Sequence, residues 1–220
     1  MKNIGAVVTG DVRNSYRDFK DQQELLLKRL HSIYDYVQKY FSDEMVYNID
    51  IFRGDSFQFF ISDPRKALKI AICFYLYAKY LQIDLKIGVG IGRYDYLNKA
   101  KISESNGQAF LLSGQALEKL DKKSSIEIAL PKNSKLNYVV AYITLLNIYL
   151  EALSAKNSLA VFGKLVNLNQ TEITKIWDAD ISRQAISKHW QKVKVDKFVK
   201  SLGEFTNFLN QLIGKMANSV

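Results

Sequence analysis

The sequence predicts an α+β protein, a βαββαβ unit extended by one further strand and followed by an all-helical region. Three observations carry this reading. Short apolar runs alternate with helical periods up to about residue 130, two runs flank a Gly-containing turn near residue 54, and no strand pattern follows Pro131. The first strand is Ile4–Thr9, ended by Gly10-Asp11. A helix is expected from about Asp18 to Phe41, because Leu26, Leu30, Ile33, Tyr34, Val37 and Phe41 recur at three- and four-residue spacing. Met45–Phe52 and Ser56–Ser62 flank Arg53-Gly54-Asp55 as a β-hairpin. Asp63 before Pro64 reads as an N-cap with proline at the first helical position, opening a helix to about Gln82. Asp84–Gly92 is a fourth strand, Ser105–Leu120 a helix, and Ser125–Leu130 a fifth strand. This order is the ferredoxin-like, split-βαβ plan, which sets the first and third strands side by side and antiparallel. Asp11, just past the first strand, then converges with Asp55, just before the third.

Pro131-Lys-Asn-Ser-Lys marks the expected boundary between residues 1–131 and 132–220. Beyond it, about Asn137–Leu153 and Ser158–Val166 are helical, and so, in pieces, is the remainder.

Composition narrows the classes of function. With 48% hydrophobic and 24% charged residues the chain is globular rather than disordered. One Cys and two His leave no disulfide framework and no Cys/His zinc site. A formal net charge of +9 points to an anionic partner, whether nucleic acid, a phosphate-bearing ligand or an anionic surface. No run approaches the roughly 18 apolar residues of a membrane span, and the N-terminal apolar run stops too soon for a secretory signal, so the expectation is a cytoplasmic protein without membrane association.

Two aspartates at a strand end, with a backbone carbonyl nearby, suit Mg²⁺, which takes one or two carboxylates and fills its shell with water and phosphate oxygens. The same residues are also common turn formers, and spacing alone leaves both readings open. VVTGDVRNS resembles the metal-binding loop of class III nucleotide cyclases. IDIFRGDSFQFFI resembles their second metal hairpin and the GGDEF hairpin of diguanylate cyclases. KIGVGIG and SNGQAFLLSGQAL resemble the later cyclase strand and helix. Together with a C-terminal helix-turn-helix, the series is most similar to the SatD family, small bacterial proteins with a cyclase-like palm. The resemblance covers roughly residues 1–130 and implies metal contacts from Asp11, the Val12 carbonyl and Asp55, with a nucleotide as ligand. It also departs from the pattern: the cyclase asparagine and transition-state arginine positions hold Leu111 and Gln115. Arg53 stands at the first glycine of the diguanylate motif and Ser56 at its glutamate. Arg13, Arg53, Gly54, Arg93, Lys99 and Lys101 are candidate phosphate or nucleotide contacts.

The second motif is Asn169–Lys194. Asn169 with Glu172 is capping-box-like, and Ile173, Ile176 and Trp177 form an apolar face. Ser182 caps a second helix whose inward residues are Ala185, Ile186 and Val193. ISRQAISK resembles a bacterial recognition helix, with Ser182, Arg183, Gln184, Ser187 and Lys188 outward; Lys192 and Lys194 extend its basic surface. Arg reads guanine, Gln reads adenine, and Ser and Lys meet phosphate. The connection through Asp178 and Asp180 is longer than the usual tight turn, and a basic helix of an ordinary bundle is the alternative.

Cys73 reads as a buried small hydrophobe. Neither His31 nor His189 has partners for nucleophilic catalysis. In the tail, Phe205, Phe208, Leu209, Leu212, Ile213 and Met216 form a stripe that either closes the bundle core or makes a homodimer seam. The expectation is a regulator binding double-stranded DNA, its palm taking a nucleoside triphosphate with Mg²⁺. The rivals are an active nucleotidyl cyclase or transferase using Asp11 and Asp55, and an adaptor with an inert palm.

Overall fold

A computed structural model describes residues 3–131, 136–177 and 179–218. It is a mixed α+β fold built on an open five-stranded sheet of order β2-β3-β1-β4-β5. The central strand β1 (Ile4–Val12) is antiparallel to both β3 (Ser56–Ile61) and β4 (Leu85–Arg93), while β2 (Asp50–Phe52) and β5 (Ile126–Ala129) lie at the edges. Helices α1 (Ser15–Asp18) and α2 (Gln23–Gln38) follow β1, α3 (Ala67–Tyr80) follows β3, and α4 (Gln108–Lys119) precedes β5.

Several boundaries differ from the sequence reading. β1 does not stop at Gly10-Asp11 but runs to Val12, so Asp11 lies within the strand, opposite Ser56 and Lys86. Gly10 is there for space: a Cβ would sit 2.3 Å from the Phe57 ring. The expected helix from Asp18 is broken at Asp21, whose φ of 63° is left-handed, and α2 begins at Gln23. Of Met45–Phe52 only Asp50–Phe52 is strand, because α2 holds the preceding backbone: Tyr34 donates to the Tyr47 carbonyl and Gln38 to that of Met45. Asp63 does cap the turn at Pro64, accepting from the Arg65 N–H, but that turn is 3₁₀ and α3 starts at Ala67.

Strand alternation sorts the sheet into two faces. Ala6, Val8 and Val12 join Phe57, Phe59, Ile87 and Val89 in the core under α2 and α3. Val7, Thr9 and Asp11 face the other side, with Ser56 and Gln58 alongside by register. There α4 lies against the backbone of β4, since Gly88 and Gly90 leave no side chain between them.

The helices after residue 135 are α5 (Leu136–Glu151), α6 (Ala155–Leu165), α7 (Gln170–Ile176), α8 (Arg183–Lys192) and α9 (Val195–Asn218). Residues 132–135, where the boundary was expected, lie outside the described residues. One hydrophobic cluster runs from the sheet into these helices. Tyr36 of α2 stacks on Tyr77 of α3 at 4.2 Å, and Tyr77 is 5.4 Å from Phe162 of α6. Asn147 of α5 secures the edge strand β5, accepting from the N–H groups of Ser125 and Ile126 and donating to the Ile126 carbonyl. The α9 stripe closes the core: Phe205, Leu209, Leu212 and Ile213 are buried, and Phe205 stacks on Tyr142 at 3.8 Å. The Met216 side chain lies outside what is described. Among the described residues no helix is long and apolar enough to cross a membrane.

Candidate functional site

The pairing of β1 with β3 brings Asp11 opposite Ser56, and so beside Asp55 at the end of the hairpin. Ser56 donates to Asp11 Oδ1 at 2.5 Å and has Asp55 Oδ1 at 3.4 Å, so one hydroxyl spans both carboxylates. The second oxygen of Asp55 accepts from Ser15 at 2.5 Å, and the Val12 N–H donates to the Asp55 carbonyl at 3.2 Å. The Asp11 and Asp55 side chains are thus held by short hydroxyl donors while remaining half-exposed. The turn that delivers Asp55 needs left-handed backbone at two successive residues, Arg53 (φ 54°) and Gly54 (φ 87°). The glycine also admits the Gln23 amide, which a Cβ would meet.

Beside Asp55 lies a groove of about 390 Å³ lined by Ser15, Tyr16, Lys20, Arg53 and Asp55 among others. Two cations, Lys20 and Arg53, thus share its lining with the Asp55 carboxylate. Behind Asp11 a polar chain crosses the sheet face. Gln58 donates to Thr9 Oγ1 at 2.8 Å; Ser113 gives its own hydrogen to the Phe110 carbonyl, so the 2.8 Å contact between Thr9 and Ser113 has Thr9 as donor.

Other expected phosphate contacts are not brought here. Arg13 continues β1 toward β4, its N–H donating to the Asp84 carbonyl. Its guanidinium clamps the loop before β5, donating to the carbonyls of Lys122 and Ser124 at 2.5 Å and Asp121 at 3.4 Å. These carbonyls occupy the guanidinium in the structure. Arg93 pairs with Ile4, at the end of β1 opposite Asp11. Lys99 and Lys101 lie in the connection leaving that end, and Lys101 is ion-paired with Glu104 at 2.7 Å. None of these three lines the groove at Asp55. Leu111 and Gln115 are exposed on α4. Two contributors are not singled out by the sequence reading: Ser15, which appears there only as the last residue of VVTGDVRNS, and Lys20. Ser56 was noted as a departure from a motif, although a hydroxyl directly after Asp55 is well placed to bridge two acids.

Metal fit can be judged on these donors. Among the described residues no group of three or more His, Cys, Asp or Glu could hold a metal alone. Two adjacent carboxylates fit Mg²⁺ only in its usual mode, with water and phosphate oxygens completing the shell.

In the helical region, the capping box at Asn169 and Glu172 is present in both directions, at 3.0 and 2.7 Å. Ile173 and Trp177 are buried, and Ser182 caps α8 through the Ala185 N–H at 3.2 Å. The inner side of α8 is pinned to α6: Trp190 donates to the Ala160 carbonyl at 2.8 Å, and His189 Nδ1 lies 2.7 Å from Asn157 Oδ1. Ser182, Arg183, Gln184, Lys188, Lys192 and Lys194 are exposed. Ser187 is the exception. It is half-buried and accepts from the Gln170 amide at 2.8 Å, tying α8 to α7 rather than facing outward. Asp180 is exposed, and Asp178 lies outside the described residues.

Cys73 is fully buried, and burial pushes its thiol up to about 12, which keeps it protonated and unreactive. Compared with known proteins, the chain matches no family model and no curated sequence.

Proposed function

We propose that this chain is a DNA-binding regulatory protein in which a ferredoxin-like, cyclase-like palm of the SatD type binds a nucleoside triphosphate with Mg²⁺. The observation that carries the DNA-binding part is α8. Ser182, Arg183, Gln184 and Lys188 are exposed at the N-terminal half of a helix whose opposite side is anchored to α6 and α7. That is the arrangement a groove-reading helix needs, with donors outward and a rigid support behind. The net charge of +9 supplies the matching long-range attraction.

The ligand part rests on Asp11 and Asp55, with Val12 contributing a carbonyl by resemblance. Bound Mg²⁺ would neutralise phosphate charge there. The chain's own residues hold the two carboxylates through Ser56 and Ser15 and offer Arg53 and Lys20 to the phosphates. A second reading, an active nucleotidyl cyclase or transferase with the helical region as docking module, is favoured by the same carboxylate pair. It lacks a basic residue at the position of the cyclase arginine, where Gln115 stands, and stabilisation of developing charge is usually the largest catalytic contribution.

The experiment is selection of bound genomic fragments with and without ATP or GTP and Mg²⁺, paired with calorimetric titration of those nucleotides. Enrichment of a common duplex site, altered by nucleotide, is the expected result. No enrichment would overturn the DNA-binding reading, and no heat would overturn the nucleotide reading. Release of pyrophosphate, abolished by Asp11→Asn, would establish the enzyme instead.

A further inference from the structure

A second groove, of about 510 Å³, opens between α5 and the turn that joins α8 to α9. Its floor is aromatic. Tyr149 and Phe198 stack at 4.3 Å, and Tyr142 lies about two helical turns before Tyr149. Lys192, Lys194 and Lys197 also line it, and no acidic residue among the described ones does. None of the three lysines is ion-paired with a carboxylate among the described residues; the neighbouring Asp196 is paired with Lys164 at 3.0 Å. The adjoining face of α5 is uncharged from Leu136 to Leu150, with Leu145 66% exposed. Apolar walls with a few convergent polar groups and a volume within roughly 300–1,000 Å³ are the common properties of small-molecule sites.

We propose that this groove binds an amphipathic anion, its apolar body against Tyr142, Tyr149 and Phe198 and its carboxylate or phosphate head among Lys192, Lys194 and Lys197. Charge selects the head: three ammonium groups, with the neighbouring Asp196 paired to Lys164 instead, leave a positive potential at the rim, and an anion entering there loses water next to compensating charge. Shape and polarity select the body. The site also touches the end of α8 directly. Tyr149 donates to the Val193 carbonyl at 3.1 Å, and Lys194 holds the turn in left-handed backbone (φ 52°). An occupant therefore contacts the segment that fixes where α8 ends. An effect on DNA affinity would rest on the DNA-binding reading above; binding itself does not.

The test uses the full chain and 8-anilinonaphthalene-1-sulfonate, itself an aromatic anion, followed by fluorescence. Saturable one-site binding is expected, displaced by decanoate or decyl phosphate but not by decanol. Whichever of the two displaces at lower concentration identifies the head group. Lys194→Glu combined with Lys197→Glu should raise the dissociation constant at least about tenfold, since each close ammonium contributes attraction to the anion. Lys194→Gln with Lys197→Gln gives the same comparison should the charge reversal unfold the chain, and near-UV circular dichroism reports folding in each case. Equal displacement by decanol, or unchanged affinity in a folded variant, would overturn the proposal.

Discussion

Ser56 gives its hydroxyl hydrogen to Asp11 at 2.5 Å while standing 3.4 Å from the carboxylate of Asp55. Two acids separated by the whole of α1, α2 and β2 are thereby coupled through one side chain. Ser56→Ala should lower stability by about 1 kcal/mol, the net worth of a lost hydrogen bond, because the Asp11 carboxylate loses that donor. Thermal melts with and without millimolar Mg²⁺ extend the test to the ligand. The ion should raise the midpoint of the natural chain and leave Asp11→Asn unmoved, since a ligand stabilises only the state that binds it.

Close contact of α4 with the sheet makes a sharp pair of substitutions. A Cβ at Gly90 would lie 2.2 Å from the Ala109 carbonyl and 2.3 Å from the Ser113 nitrogen, both backbone atoms that cannot rotate away. Gly90→Ala should cost about 3 kcal/mol or more. Gly114, within α4 and with nothing inside 4 Å of its Cβ position, should instead gain up to about 1 kcal/mol as alanine. Urea denaturation of both variants checks the contrast.

Asn147 does for β5 what a sixth strand would do. Asn147→Leu removes the acceptor for the Ser125 and Ile126 N–H groups and the donor to the Ile126 carbonyl. A loss of about 2–3 kcal/mol is expected, as for a buried polar group left without its partner. Faster hydrogen exchange at Ser125 and Ile126 should accompany it, while β1 stays protected.

His189 brings a pH dependence whose sign is set by its surroundings. Burial first, then Lys192 and Lys156, hold its pKa below the ordinary 6.5, so the folded chain favours the neutral ring. Its contact with the Asn157 oxygen then places the remaining proton on Nδ1. The unfolded chain takes up the proton at higher pH than the folded one. This contribution to stability is therefore complete above 6.5 and is lost as pH falls through that value toward the lowered folded pKa. Unfolding free energy measured from pH 7.5 to 5.5 should decline more steeply in the natural chain than in His189→Gln.

Arg183 is exposed and contributes nothing visible to packing. Arg183→Ala should leave the melting temperature unchanged and weaken duplex DNA binding by about tenfold, within the range of a lost arginine–base contact. Lys188→Ala should weaken binding uniformly across sequences and reduce the salt slope by about one. Fluorescence anisotropy at several salt concentrations separates the two effects.

Local pattern carried much of the fold. Period-two and period-3.6 hydrophobicity located the five strands and the main helices, and short-range chemistry located the capping box at Asn169, the cap at Ser182 and the cap at Asp63. These depend on residues three or four apart, which is why they can be read along the chain. The convergence of Asp11 with Asp55 was also legible, because antiparallel neighbours in a split-βαβ order permit only one end to meet.

Side-chain partners over long separations were a different matter. Nothing near Arg13 in sequence indicates that its guanidinium is occupied by carbonyls more than a hundred residues on, nor that Lys20 joins Arg53 beside Asp55. Gly10 reads as a turn residue along the chain, yet in the fold the Phe57 ring fills the space a side chain would need. Periodicity and capping act within a few residues and survive in one dimension. The choice of partner for a long flexible cation, and the room left for a ring, are set only when distant segments pack.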